Sequence, residues 1–193
     1  PKYFFLAGFS LVSMQAINYV IDPLCESIRH VDGLFLVSHV YDTNASAMIL
    51  EKPLESKLYL SVIVQKLTHA LKKNQYVSED MKKAVHAKTL CEFDDLFTSQ
   101  TLGLKDHHEY YEKVKIYHLI PKINVPTLIL GSDDDPFTEK KFQPISEVQK
   151  SNDVALMTYP TGGHVSFLTG MSGKKSIIDS IGLDFFDTII SQK

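Results

Sequence analysis

Three short segments of this sequence hold residues whose types and spacing could support nucleophilic catalysis. The first is Gly8-Phe9-Ser10-Leu11-Val12, in which a serine follows an apolar run and precedes a helical pattern. This context is typical of a nucleophile elbow, the tight strand-to-helix turn that exposes a serine hydroxyl. The alternative is that Ser10 only caps the following helix. The motif alone leaves both interpretations open.

The second segment ends in an acidic run. A buried strand is predicted from Val125 to Gly131, and Asp133, Asp134 and Asp135 follow it closely. Three adjacent carboxylates repel one another, so a site that uses one of them would explain the cluster. In a catalytic triad such a carboxylate orients the histidine and stabilises its charged form. The alternative is a solvated turn that caps the next helix. A calcium loop is disfavoured because its spaced ligands and closing glutamate are missing.

The third segment places a histidine after another predicted strand, Val154 to Tyr159. Gly162 and Gly163 allow the backbone to turn tightly, so that His164 can point back across the edge of the sheet. The other seven histidines receive no catalytic role. One of them, His39, ends a predicted strand that begins at Gly33. It could line the pocket, but the sequence favours a solvated loop position for it.

The order of the three segments carries more information than any one of them. Serine, acid and histidine, each after a successive strand, is the chain order of α/β-hydrolases. Strands that alternate with helices also predict a mostly parallel sheet flanked by helices. The predicted helices include one that follows the first strand to about Ile21, and one from Lys174 to Ser191 with an apolar stripe. The sequence therefore predicts an α/β class protein with the α/β-hydrolase fold.

The interval from Val40 to Lys122 interrupts this alternation. It contains amphipathic stretches at 57–73, 79–87 and 107–117 but no convincing strand. The sequence thus predicts a core made of residues 1–39 and 123–193, with a helical cap inserted at about 40–122. We expect the cap to lie over the C-terminal edge of the sheet, where open α/β sheets bind their ligands.

Composition excludes several other classes of function. The 193 residues carry a net charge of −3 with scattered lysines, which disfavours nucleic acid as a partner because phosphate binding needs a concentrated basic face. No apolar run reaches the roughly 20 residues of a membrane-spanning helix. No zinc-ligand spacing or glycine-rich nucleotide loop occurs, so no metal or cofactor is predicted. Two cysteines suit a reducing compartment and favour the cytoplasm.

The first residues predict a strand from Tyr3 to Ala7 that is apolar on both faces. Such a strand belongs in the middle of a buried sheet. The sequence is therefore interpreted as the C-terminal portion of a hydrolase domain whose first strands lie upstream. An exposed edge at this strand would favour self-association, and an upstream segment could supply membrane anchoring.

Together these segments resemble the YheT-like α/β-hydrolases, a branch that includes plant embryogenesis-associated hydrolases and mammalian abhydrolase-domain lipases. The resemblance rests on Ala7 to Leu11, on Ile123 to Phe137 with Gly162 to His164, and on the cap. In the cap the matching segments are Glu92-Phe93-Asp94-Asp95-Leu96, Gly103-Leu104-Lys105-Asp106 and Tyr110-Tyr111. It spans nearly the whole chain, from Tyr3 to about Gly170.

The resemblance implies hydrolysis of lipid-like or other small acyl esters, with no cofactor. Ser10 would be the nucleophile, and His164 would act as general base and then general acid. Asp135 or its neighbour Asp134 would hold the imidazole, and the backbone N–H of Leu11 would serve the oxyanion hole.

One departure from the family pattern favours an alternative. Val12 stands where the family has glycine, and we expect it to crowd the elbow at a cost of about 1–3 kcal/mol. This favours a non-catalytic binding protein with the same fold. Acyl transfer is a third hypothesis for the function, because it uses the same triad and the same acyl-serine intermediate.

Overall fold

The computed structural model of this chain describes residues 2–170 and 173–192, and for Glu26 the backbone alone. The contacts between residues divide the chain into two compact units. One unit joins the chain up to Tyr41 to the chain from Ile116 onward, and the other comprises Asp42–Lys115. The first unit holds every strand of the described chain.

Four parallel strands form the main sheet, and they lie side by side in chain order. They are β1 (Phe5–Phe9), β2 (Gly33–Val37), β3 (Thr127–Ser132) and β4 (Val154–Tyr159). Because parallel strands share a direction, the residues that follow them meet at one edge of the sheet. Two short strands, β5 (Leu168–Thr169) and β6 (Lys175–Ser176), pair separately as an antiparallel hairpin.

Among the residues that the structure describes, the sheet-containing unit has four α-helices. They are α1 (Ser13–Ile21), α2 (Pro23–Ile28), α9 (Ile145–Val148) and α10 (Ile178–Ser191). Three short 3₁₀ turns accompany them, at Ser10–Val12, Ile120–Lys122 and Lys140–Phe142.

The second unit is helical throughout its regular structure. Its α-helices are α3 (Thr43–Leu50), α4 (Pro53–Glu55), α5 (Ser61–Lys73), α6 (Leu90–Phe93), α7 (Ser99–Thr101) and α8 (His107–Lys113). Wider turns of π type connect α4 to α5 at Ser56–Leu60 and α6 to α7 at Asp94–Thr98, and Met81–His86 forms a 3₁₀ helix. Where this unit lies relative to the sheet stays a prediction from the sequence.

The central strands β2 and β3 are buried on both faces of the sheet, and successive side chains of each strand point to opposite sides. In β2, Leu34 and Leu36 join a core cluster with Ile17 of α1. Phe35 belongs to a separate cluster with Ile178 of α10 and the side chains around it. Two faces covered by different helices explain why β2 is apolar along its whole length.

No helix in residues 2–170 and 173–192 combines the length and apolar character needed to cross a lipid bilayer.

Candidate active site

Ser10 lies at the turn between β1 and α1, in a backbone conformation that non-glycine residues rarely adopt. Its φ angle is +54°, in the left-handed region, where a side chain costs about 1–3 kcal/mol. The 3₁₀ turn Ser10–Val12 follows at once and continues into α1. A strained turn between a strand and a helix is the geometry that a nucleophile elbow requires.

The close approach at this elbow occurs at Gly8. A β-carbon built on Gly8 would lie 2.7 Å from the Cα of Ser13, the first residue of α1. Val12, by contrast, is 61% exposed, so its side chain does not fill the space between strand and helix. The expectation that Val12 crowds the elbow is therefore wrong, because that side chain points away from the contact.

A methyl group at Gly8 is expected to destabilise the fold. The Gly8→Ala variant should lose about 1–3 kcal/mol of unfolding free energy, because its new β-carbon meets backbone that cannot move aside cheaply. Gly131→Ala is the matched control, since its new β-carbon would lie 4.0 Å from the amide nitrogen of Gln143, an ordinary van der Waals distance. Thermal denaturation should show a clearly lower melting temperature for Gly8→Ala alone. Equal melting temperatures for the two variants would contradict the tight contact.

His164 links the serine to an acid. Its Nε2 lies 2.6 Å from the Ser10 hydroxyl oxygen, and its Nδ1 lies 2.9 and 3.1 Å from the two carboxylate oxygens of Asp135. Because an ionised carboxylate can only accept, Nδ1 carries the proton and donates to Asp135. Nε2 is then free of a proton and accepts the hydrogen bond of the Ser10 hydroxyl. The Phe137 ring lies against the imidazole, with 4.3 Å between ring centroids.

The three adjacent aspartates have three different partners. Asp135 is 9% exposed and, besides His164, accepts a hydrogen bond from the backbone N–H of Phe137. Asp134 contacts the loop that carries His164, and Asp133 forms an ion pair with Lys140 at 2.6 Å. Because each aspartate has its own partner, the repulsion that the sequence predicts among the three carboxylates is reduced.

Asp134 and Ser132 together hold the two-glycine loop before His164. One carboxylate oxygen of Asp134 accepts the backbone N–H groups of Gly162 and Gly163, each at 2.8 Å. The Ser132 hydroxyl donates to the carbonyl oxygen of Gly163 at 2.6 Å. Desolvation opposes ionisation of Asp134, but these N–H donors outweigh it and lower its pKa. Gly163 has φ +61°, a conformation that glycine adopts without strain.

His39 is not the solvated loop residue that the sequence predicts. It is 1% exposed, and its Nδ1 lies 3.2 Å from the carbonyl oxygen of Ser10. Burial lowers the pKa of His39 from 6.5 to about 4; the Ser10 carbonyl opposes the shift and His164 adds to it. The imidazole is therefore neutral at physiological pH. Its place directly after β2, at the edge that carries the other site residues, was the signal in the sequence.

Acid is expected to destabilise the fold through His39. Because its folded pKa lies below the unfolded value, the unfolded chain binds the proton first as the pH falls. The stabilisation is fully present above about pH 6.5, is lost as the pH falls through about 4, and amounts to roughly 3 kcal/mol. Urea unfolding across this range, with His39→Leu beside the native protein, measures it. Equal acid sensitivity of the two proteins would contradict the assignment to His39.

Leu11 is the second residue of the 3₁₀ turn that begins at Ser10. The first N–H groups of a helical turn have no acceptor within that turn. The N–H of the residue after the nucleophile is the donor that α/β-hydrolases use for the oxyanion. The backbone at Leu11 is thus of the kind that can stabilise negative charge beside Ser10.

No protein-family model matches this sequence. Human phospholipase ABHD3 is 29% identical over 176 residues, which are 90% of this chain and 42% of that protein. A monoacylglycerol lipase of Saccharomyces cerevisiae is 29% identical over 90% of this chain and 40% of its own. An abhydrolase domain-containing protein of Dictyostelium discoideum is 27% identical over 98% and 48% respectively. The chain spans less than half the length of each of these relatives.

Solved structures give the same architecture. A putative lipase of Acinetobacter baumannii superimposes with a TM-score of 0.55 at 17% identity, covering 99% of this chain and 62% of that one. An esterase of Pyrococcus furiosus gives 0.54 at 12% identity, covering 98% and 54%. The predicted fold is therefore confirmed: this chain has the α/β-hydrolase fold, and its sequence relatives are abhydrolase-domain proteins.

Proposed function

We propose that this chain carries the catalytic residues of a serine ester hydrolase. The observation that carries the proposal is the continuous hydrogen-bonded path from the Ser10 hydroxyl through His164 to Asp135, which starts at a strained elbow. A helix cap does not need a histidine and a buried carboxylate aligned behind its hydroxyl. Nucleophilic catalysis needs both, because the serine must lose a proton as it attacks.

In this proposal each group has a role that its contacts support. The Ser10 oxygen attacks the ester carbonyl carbon while its proton passes to Nε2 of His164. The bond to the leaving alcohol then breaks, and His164 returns the proton to that alcohol. Water attacks the resulting acyl-serine by the reverse use of the same histidine, which releases the acid and restores Ser10. Asp135 stabilises the charged imidazole, and the N–H of Leu11 stabilises the oxyanion.

The proposed substrates are carboxylic esters of lipids or of small acyl groups. This proposal is supported by two relatives of the chain, which are named a phospholipase and a monoacylglycerol lipase. We also propose that the chain belongs to the YheT-like branch, because its elbow and cap segments resemble that branch. Asp134 then serves as an anchor for the histidine loop rather than as the triad acid.

Fluorophosphonate labelling of the intact native protein tests this function. The expected result is a single covalent adduct on Ser10, located by mass spectrometry of the digested protein, because the reagent reacts with activated serines. A folded protein that takes up no label would instead support a non-catalytic binding protein.

Product analysis separates hydrolysis from acyl transfer. A p-nitrophenyl ester incubated with the protein and a short alcohol should yield the free acid as its main product. A new ester of that alcohol as the main product would show that water is excluded from the acyl-enzyme, and the activity would then be an acyl transfer.

A further inference from the structure

The imidazole of His39 contacts the nucleophile's own peptide group. His39 follows β2, whereas Ser10 follows β1, and the two strands are neighbours in the sheet. The contact joins Nδ1 of His39 to the carbonyl oxygen of Ser10 at 3.2 Å. Because a carbonyl oxygen can only accept, Nδ1 must carry the proton of the neutral ring and donate it.

The peptide group that accepts this hydrogen bond also carries the N–H of Leu11. A peptide unit is planar, so the carbonyl of Ser10 and the N–H of Leu11 belong to one rigid plane and point in opposite directions. A bond that fixes the carbonyl oxygen therefore also fixes where the Leu11 N–H points. The backbone N–H of Ser13 donates to the same carbonyl oxygen, so the plane is held from α1 and from the end of β2.

Strain at Ser10 makes such a hold necessary. A non-glycine residue at φ +54° keeps this conformation only when several independent contacts from its surroundings hold it there. Relaxation toward an ordinary φ would rotate this peptide plane and turn the Leu11 N–H away from the reacting carbon. Donors from two separate elements oppose that rotation.

Stability alone does not account for a histidine at this position. His39 is almost fully buried, and its Nε2 has no hydrogen-bond partner among the residues that the structure describes. A buried polar atom without a partner costs free energy that an apolar side chain of similar size would not. The edge-to-face packing of the imidazole against Tyr41 is a contact that an apolar ring could also make, whereas the hydrogen bond to Ser10 requires a polar donor.

We infer that His39 is a positioning residue for the oxyanion site: its Nδ1–H holds the peptide group between Ser10 and Leu11, and so aims the Leu11 N–H at the developing oxyanion. The inference rests on the proposed serine hydrolase function. It differs from a role in the proton relay, since His39 contacts the backbone of Ser10 and not its hydroxyl.

Three substitutions of His39 in the intact native protein test the inference. His39→Leu removes the donor and keeps the volume. His39→Asn places an amide nitrogen where Nδ1 lies, and His39→Gln moves the amide one bond further out. The kinetic constants for a p-nitrophenyl ester, the inhibition constant of a trifluoromethyl ketone and the melting temperature at neutral pH are measured for each.

The leucine variant is expected to lose about 10–100-fold in kcat, less than the 10²–10³ that removing an oxyanion donor outright costs. Its KM and melting temperature should stay near the native values. Trifluoromethyl ketone binding should weaken by the same factor as kcat, because the adduct of this inhibitor carries an oxyanion. His39→Asn should restore most of kcat, and His39→Gln should not.

The outcomes separate this inference from the proposed function. A native protein that neither hydrolyses esters nor takes up fluorophosphonate would overturn both. An active native protein whose leucine variant keeps full kcat and full ketone affinity would overturn the role of His39 alone. If the leucine variant does not fold, the asparagine and glutamine variants decide, and equal kcat values for these two would overturn the role.

Discussion

Replacing Ser10 with alanine is expected to lower ester hydrolysis by about 10⁶-fold, the scale at which loss of a triad serine abolishes acyl-enzyme formation. The Ser10 hydroxyl is the group hydrogen-bonded to Nε2 of His164, and alanine leaves that nitrogen with no nucleophile to activate. Alanine meets the same steric limits as serine at φ +54°, so the fold should be retained. Initial rates with a p-nitrophenyl ester, together with the melting temperature, measure both effects.

A second serine serves as the control for that variant. Ser180 is exposed on α10 and hydrogen-bonds to the backbone carbonyl of Ile177. Ser180→Ala should keep both the native rate and fluorophosphonate labelling. If Ser10→Ala retained the native rate, the nucleophile would lie elsewhere and the proposed function of the elbow would be lost.

Exchanging Asp135 for asparagine is expected to cost about 10⁴-fold in kcat with little change in KM. Asparagine has almost the same shape, but its amide can present N–H groups to Nδ1 of His164. The imidazole would then carry its proton on Nε2, where it can no longer accept the proton of Ser10. Michaelis–Menten kinetics at neutral pH measure the change.

Asp134→Asn is the matched control because it makes the same chemical change one residue away. The amide oxygen of asparagine can still accept the N–H groups of Gly162 and Gly163, so kcat should fall by less than about tenfold. A reversed result, with the larger loss at position 134, would assign the acid role to Asp134.

The sequence predicts the order and type of the core elements well, because strong local patterns mark them. Strand β4 matches its predicted bounds, and β2 and β3 lie within about two residues of theirs. β1 begins at Phe5 rather than Tyr3. The N–H of Phe4 donates to the side-chain carboxylate of Asp32, and the carbonyl of Phe4 accepts from the backbone N–H of Asp32. Such a contact joins residues far apart in the chain, and no local pattern reveals it.

The start of the last helix also differs from its predicted position. An apolar stripe predicts it from Lys174, yet α10 begins at Ile178 because Lys175 and Ser176 pair with β5 as a short hairpin. The Ser176 hydroxyl oxygen then accepts the N–H of Ile178 at the start of the helix. The apolar residues of the stripe begin only at Ile177, and the polar residues Lys175 and Ser176 before it are taken out of the helix by their pairing with β5.

The details of the site also depend on tertiary contacts. Asp134 and Asp135 are neighbours with the same side chain, so sequence reasoning cannot separate them. In the structure one contacts an imidazole and the other a pair of backbone N–H groups. The burial of His39 and the exposure of Val12 follow from the packing around β1 and β2, which single-residue patterns do not encode.

The anchoring of the histidine loop has a mechanical consequence. Ser132 and Asp134 tie this loop to the C-terminal end of β3, and Asp135 comes from that same end. The Asp135 carboxylate and the His164 imidazole are thus both held by the C-terminal end of β3, so a displacement of that strand end would move the two groups together. Ser10 lies instead at the end of β1. A displacement of the end of β1 relative to the end of β3 would therefore change the distance between Ser10 and His164 and leave the contact between His164 and Asp135 in place.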